Sequence, residues 1–312
     1  MSKIHNELIQ THLEELECMD ECDRDVLISE LLNNQAKIKS NEQLYYDENQ
    51  DNSWIEHYYC NISTDKSAPT QLFQEFRDLI ITTHKYKIPY YISKDQYLYT
   101  WVDLQPNGHL KSIYSGKQRN PSKVIEEDFE TIEKLFESYR QLLKSPRLLN
   151  KEIEKQVINI SRQHKFNTEH VVPQSWFKAK EPMKGDLHHL FACEHECNTV
   201  RSNFPFYEFH KGEHSILYTN HCGLFDTCRF EPKYGKGIVA RAVLYFIMRY
   251  PRRIRRQFRK SINIDLLKRW HMEFPITEYE KHRNKAIFEI QGNRNPFIDF
   301  PDLIHKINIL LE

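Results

Sequence analysis

Glu169 and His170 stand side by side in the stretch Phe166-Asn167-Thr168-Glu169-His170-Val171-Val172-Pro173-Gln174, and Asn198 and Arg201 follow after a second segment, Asp186-Leu187-His188-His189-Leu190. A hard cation such as magnesium takes oxygen ligands, keeps several of its waters and accepts only one or two groups from a protein. Glu169 offers a carboxylate and Asn198 an amide oxygen, and manganese is a natural substitute at such a centre. A histidine beside it, with an unperturbed pKa near ~6.5, can take a proton from water. His170 is therefore the candidate general base of a phosphodiester hydrolysis in which the cation polarises the phosphoryl group. Arg201, three residues after Asn198 and on nearly the same helix face, could offer its planar fork to a phosphate oxygen. Of His188 and His189, strand alternation sends one to the pocket and the other to the core. His189 is the one assigned to phosphate, and Asp186 orients the segment rather than binding metal. Spacing alone leaves a plainer reading open: a hydrogen-bonded core imidazole, a surface acid and a helix-end asparagine.

Positioning these groups requires a change of period after Gln163. Phe166 to Val172 and Asp186 to Phe191 read as short strands, joined by a loop with Pro173, Pro182 and Gly185, and Glu194 to Ser202 reads as a short helix. At a strand end that turns into a loop, the neighbours Glu169 and His170 can border one pocket although a strand alone would separate them. Around this unit, residues 1–40 read as one or two acidic amphipathic helices, Ser40 to Ser53 as a linker, and Pro69 to His84 as a helix with apolar Leu72, Phe73, Phe76, Leu79 and Ile80. Tyr97 to Leu104 and Leu110 to Tyr114 read as strands about a Pro106-Asn107-Gly108 turn. Helices are expected over Glu126 to Leu143, Glu152 to Gln163, Gly237 to Arg249, Ile264 to Met272, Ile276 to Ile290 and Pro301 to Leu311. The class is α+β with a helix-rich periphery.

With 312 residues, 39% apolar, the chain can bury a sizeable core. Eight glycines and no GxxxxGK or GxGxxG exclude a glycine-rich phosphate cradle. The net charge is zero, but residues 1–50 carry twelve acids against four bases, and Lys233 to Lys260 carry ten bases and no acid. Arg252, Arg253, Arg255 and Arg256 in that run could follow a nucleic-acid backbone; a solvated basic face is the plainer alternative. A polar N-terminus with no apolar signal region, and no run long enough to span a membrane, make the cytoplasm the default expectation.

Several ordered blocks together are more specific than any one. Glu169-His170-x-x-Pro173, Asp186-Leu187-His188-His189-Leu190 and Asn198-x-x-Arg201-x-Asn203-x-Pro205-Phe206 resemble the endonuclease I family of periplasmic and secreted bacterial nucleases. Phe230-Glu231-Pro232, Lys236-Gly237-x-Val239-Ala240-Arg241-Ala242, Arg249-Tyr250 and Gln291-Gly292-Asn293-Arg294-Asn295-Pro296-Phe297-Ile298-Asp299 continue the likeness, and Ile113-Tyr114-Ser115-Gly116 is similar to an upstream strand. The resemblance implies a ββα-metal (His-Me finger) nuclease core with His170 as base and Glu169 and Asn198 as metal ligands. It also implies cleavage of DNA, and of RNA, with little sequence preference, leaving 5′-phosphate ends. Asn203 and His189 then fall beside the phosphate. The chain departs from the family at Val172, where a tryptophan is usual, and at Ile238, where an acid is frequent.

The expected organisation is an acidic helical extension, 1–50, and a nuclease domain, 51–312. The extension could restrain the enzyme by shielding its basic surface, in place of a separate inhibitor, or serve as a structural addition. Cys193, Cys197, Cys222 and Cys228 could hold a structural zinc, pair as disulfides or stay as thiols. A nucleic-acid-binding or interaction protein that has lost catalysis on the same fold is the competing function.

Overall fold

The computed structural model describes residues 3–20, 23–63, 68–144, 150–210, 217–309 and 311. Among them helices dominate and strands are short, an α+β arrangement. Two helices open the chain, the acidic α1 (Lys3–Asp20) and α2 (Arg24–Ser40), followed by α3 (Glu42–Tyr45), α4 (Glu48–Tyr58) and α5 (Pro69–Thr83). The segment expected as a linker is thus largely helical: Asn41 and Asp47 cap the two short helices with their side chains.

A short helix α6 (Tyr90–Ile92) runs into a π-helical stretch, Ser93–Val102, where a strand was expected from Tyr97 to Leu104. Leu98, Tyr99 and Val102 are buried there, and so are Lys94, Asp95 and Thr100, so polar residues sit inside and no 3.6-residue stripe marks the helix. Lys94 is paired with Asp95 and Asp128. Beyond the turn at Gly108, β1 (Leu110–Lys111) pairs antiparallel with β2 (Gln118–Arg119), and α7 (Pro121–Lys144) and α8 (Asn150–Gln163) follow as expected.

Next come β3 (Thr168–His170), a one-turn helix α9 (Gln174–Phe177), a 3-10 turn at Leu187–His189, β4 (Leu190–Ala192) and α10 (His195–Arg201). The second expected strand therefore starts late, at Leu190, because Asp186 caps the 3-10 turn by accepting the His188 amide. β3 and β4 are antiparallel, with Glu169 opposite Phe191 and His170 opposite Leu190. A three-stranded antiparallel sheet of β5 (Tyr218–Asn220), β6 (Gly223–Phe225) and β7 (Phe230–Pro232) had no counterpart in the expectations. The chain ends with α11 (Lys236–Arg249), α12 (Arg256–Arg259), α13 (Ile264–Glu273), α14 (Glu278–Gln291), α15 (Pro296–Asp299) and α16 (Leu303–Lys306). The final helix is one turn, not the long one expected from Pro301.

Two apolar cores flank the β3–β4 pair. One surrounds α11, whose residues from Gly237 to Arg249 are all buried, together with α5 and α13. The other is built from α1, α2, the π-helical stretch and α7. β4 partitions them: Phe191 belongs to the first core, Leu190 and Ala192 to the second. Its strand partner β3 is thereby held at the seam, where a cleft opens. The N-terminal helices are part of this packing, since Ile9, Leu13, Leu16, Leu27 and Leu31 lie in the second core.

Candidate active site

The start of β3 is anchored by Asp128 of α7, which accepts the Asn167 amide at 2.8 Å and the Tyr99 hydroxyl at 2.9 Å. From there Glu169 and His170 both border a cleft of about 430 Å³, together with Asn198 and Asn203. Asn198 is joined to β3 by its Nδ2, which donates to the Thr168 carbonyl at 2.8 Å. Of the plainer sequence reading, the hydrogen-bonded buried imidazole agrees with His170, whereas Glu169 is buried and not a surface acid.

His170 has defined roles for its two nitrogens. Nε2 lies 2.9 Å from the Lys184 carbonyl and must carry the proton, so Nδ1 keeps its lone pair, and Gln174 Nε2 donates to it at 3.2 Å. Burial first, then the neighbouring His189, pushes the His170 pKa well below its ordinary value, so the imidazole is neutral at pH 7. The Lys184 carbonyl is aimed by a tight loop. Glu181 accepts the amides of Tyr90 at 2.9 Å and Gly185 at 2.8 Å. A Cβ on Gly185 would stand 2.1 Å from the Ile88 carbonyl, so only glycine permits this approach.

Glu169 is buried, and burial raises its pKa against the opposing pull of Arg201, Tyr114 and Lys165. Its Oε1 accepts the Tyr114 hydroxyl at 2.7 Å and pairs with Arg201 Nε at 3.1 Å. No hydrogen bond to Oε2 is found among the described residues, and a hard cation fits there as an oxygen ligand site. Asn198 Oδ1 and its carbonyl meet the Lys165 ammonium at 3.3 and 3.1 Å. The donor set is all oxygen, which suits a hard divalent cation, and a metal at Asn198 Oδ1 would take the place Lys165 holds there.

Two assignments need correction. Arg201 is fully buried and lies behind Glu169, with its Nη atoms on the Val171 and Phe204 carbonyls, so it holds the carboxylate and does not reach the cleft. His189 is also sealed, with Nε2 on the Met183 carbonyl and its ring 5.5 Å behind that of His170, so it backs the base and does not face phosphate. Asp186 orients the segment: its carboxylate accepts both Tyr245 and Tyr250 hydroxyls at 2.8 Å. Asn203 is exposed at the rim, with Nδ2 3.4 Å from Ser175 Oγ. Arg252, Arg253, Arg255 and Arg256 are exposed beyond it, and Arg255 Nη1 reaches the Ser175 carbonyl at 3.5 Å. Gln174, Lys165 and Lys184 went unnoticed in the sequence. Gln174 alone had a signal, four residues after His170 at the head of a one-turn helix.

The four cysteines do not converge. Cys197 and Cys222 form a disulfide that ties α10 to the β5–β6 turn, Cys193 is a buried thiol and Cys228 an exposed one. Cys197, Cys222 and His221 form the close donor group found among the described residues, but the disulfide engages both sulfurs. A larger hollow, about 620 Å³, lies elsewhere beside His271 and Asp302. Its carboxylates Asp51 and Asp299 are engaged by Arg294.

A neutral, hydrogen-bonded imidazole beside a buried carboxylate and a helix asparagine, on a two-stranded hairpin followed by a helix, is a hydrolase-like constellation. Residues 70–302 match the family model for Endonuclease I, and the chain belongs to that family. It is 34% identical over 119 residues to an extracellular deoxyribonuclease of Aeromonas hydrophila, covering 38% of this chain and 50% of that protein. Endonuclease-1 of Buchnera aphidicola subsp. Acyrthosiphon pisum is 28% identical over 162 residues, 45% of this chain and 62% of that protein. An extracellular ribonuclease of Bacillus amyloliquefaciens is 29% identical over 158 residues, 46% of this chain and 53% of that protein. The chain spans about half the length of the first of these curated relatives. The cytoplasmic expectation finds no support here: two of these relatives are named extracellular. No helix among the described residues is long and apolar enough to cross a membrane.

Proposed function

We propose that the chain is a metal-dependent endonuclease that hydrolyses DNA phosphodiesters, with His170 as general base and Glu169 and Asn198 as ligands of magnesium or manganese. The observation that carries this reading is the state of His170: Nε2 is committed to the Lys184 carbonyl, so the lone pair is on Nδ1, in the cleft that also holds Glu169 and Asn198, and the attacking water replaces Gln174 as its donor. Support comes also from the chain order of β3, β4 and α10, two paired strands and then a helix, as expected of a ββα-metal core. Nδ1 takes a proton from water, the water oxygen bonds to phosphorus, and the bond to the 3′ oxygen breaks, leaving a 5′-phosphate. When bound, the metal would offset charge on the phosphoryl group and the departing oxygen. Arg201 and Tyr114 oppose the effect of burial on the Glu169 carboxylate and so favour its ionised, ligating form. The ribonuclease relative makes RNA a second substrate to test. The disulfide and the relatives named extracellular favour an exported, oxidising setting.

Plasmid nicking by the purified chain with magnesium, then with a chelator, tests the assignment. His170→Ala should lower cleavage by at least ~10²-fold while leaving DNA binding intact. Wild type that binds DNA but never cuts it would mean a binding protein on this fold.

A further inference from the structure

We propose that α1 makes the catalytic cleft selective for single-stranded nucleic acid, an inference that rests on the nuclease reading above. The helix precedes the span shared with the family, 70–302, yet His12, Glu15 and Leu16 line the same cleft as Glu169, His170 and Asn198. It is fixed there. Leu13 and Leu16 are buried in one core with Leu135 and Leu142 of α7, and the His12 ring stacks parallel on Tyr139 at 5.3 Å. Glu15 bridges to the Lys184 ammonium at 3.2 Å, and Lys184 is the residue whose carbonyl holds the base.

Residues of α1 and α7 thus border the cleft, as do Gln174 and Ser175 of the α9 turn. In a duplex, a second backbone runs across a minor groove about 6 Å wide. Bringing one strand's phosphate to His170 places that second strand against α1, and its charge against the Glu15 carboxylate. A single strand brings no second backbone, and its unstacked bases can lie on aromatic faces while cations track its phosphates. Lys165 and Lys184 stand at the cleft for the phosphates of such a strand, and half-buried Phe166 is the aromatic ring at its edge.

The test compares one labelled deoxyoligonucleotide, single-stranded and annealed to its complement. Initial cleavage rates are measured with magnesium, and binding by fluorescence anisotropy in chelator. Wild type should prefer the single strand by at least ~10-fold in both, the worth of about one stacked base. The double variant His12→Ala, Glu15→Ala should bring the ratio toward one through faster duplex cleavage. Glu15→Lys, a change at an exposed helical position that leaves the packing intact, should raise duplex binding. Equal handling of both forms by wild type overturns the proposal. So does a preference that neither variant alters while thermal melts show both folded. If neither form is cut but the binding preference persists and responds to the variants, the nuclease reading fails and the role of α1 stands.

Discussion

Replacing Arg201 by Met would expose how much of the site depends on one hidden cation. The guanidinium is fully buried, pairs with Glu169 at 3.1 Å and donates to the Tyr114 hydroxyl at 3.1 Å and the Val171 carbonyl at 2.9 Å. Methionine roughly keeps the volume but strands a carboxylate in the interior. Breaking a buried pair from one side costs about 3–5 kcal/mol, a large part of the roughly 5–15 kcal/mol that holds a domain folded. A second effect falls on the metal. Burial already raises the Glu169 pKa, with Arg201 the largest opposing influence. Without Arg201 the carboxylate takes up a proton nearer neutrality and ligates less well, a loss on the order of 10–100-fold in affinity. Guanidinium melts in chelator give the first quantity. Calorimetric titration with manganese across the pH range gives the second, and the deficit should shrink as pH rises and Glu169 ionises. Adding Glu169→Gln to the Arg201→Met variant should restore stability, because it removes the stranded charge, but not metal binding. A double variant as unstable as the single one, or a metal deficit equal at every pH, would refute the reasoning.

Acid should unfold the protein early. Burial lowers the pKa of His84, His170 and His189, and brings His188 and His282 to about 4. The unfolded chain accepts these protons near pH ~6.5 and the folded one refuses them, so stability is full above that pH and falls below it. His188 and His282 each contribute about 3 kcal/mol to the loss, and a denaturation midpoint that stayed flat from about pH 7 to about pH 4.5 would contradict this. Opening Cys197–Cys222, with a sequence separation of 25, should cost about 3 kcal/mol, read as a shift of the melt with and without reductant. Changing Arg252, Arg253, Arg255 and Arg256 to Gln should flatten the salt dependence of DNA binding by about 0.9 in logarithmic slope for each phosphate these side chains neutralise; an unchanged slope would mean the run is only a solvated face.

What the sequence could disclose depended on whether one residue's neighbours lie along the chain or across it. The helices with one apolar stripe, α5, α7 and α13, were readable because a stripe needs only local order. Tyr97 to Leu104 reads as a strand because Tyr97, Tyr99 and Trp101 alternate, whereas the π-helical Ser93–Val102 takes Lys94 inside to meet Asp95 and Asp128 of α7. Glu169, His170 and Asn198 were found together because β3, β4 and α10 all fall within residues 168–201, with only the one-turn α9 and a 3-10 turn between the strands. Arg201 and His189 were placed on the wrong side of the site for the same reason that Lys184 and Lys165 were missed. Arg201 is placed by Tyr114, far away in the chain, and His189 by a loop carbonyl, that of Met183, and no periodic pattern records either contact.

Arg294 sits within the span this chain shares with its relatives, and its guanidinium grips Asp299 on one side and Asp51 on the other, at 2.8 to 3.0 Å. Asp51 belongs to the stretch before that span, as does Tyr45, whose ring lies 3.9 Å from that of His282. The common nuclease module has thus become a tenant of its own preamble. An expression clone trimmed to the homologous boundaries would leave a permanent cation half unneutralised in the interior and bare an imidazole's flat side, and insoluble product from such a clone would report a missing buttress rather than a defective catalyst.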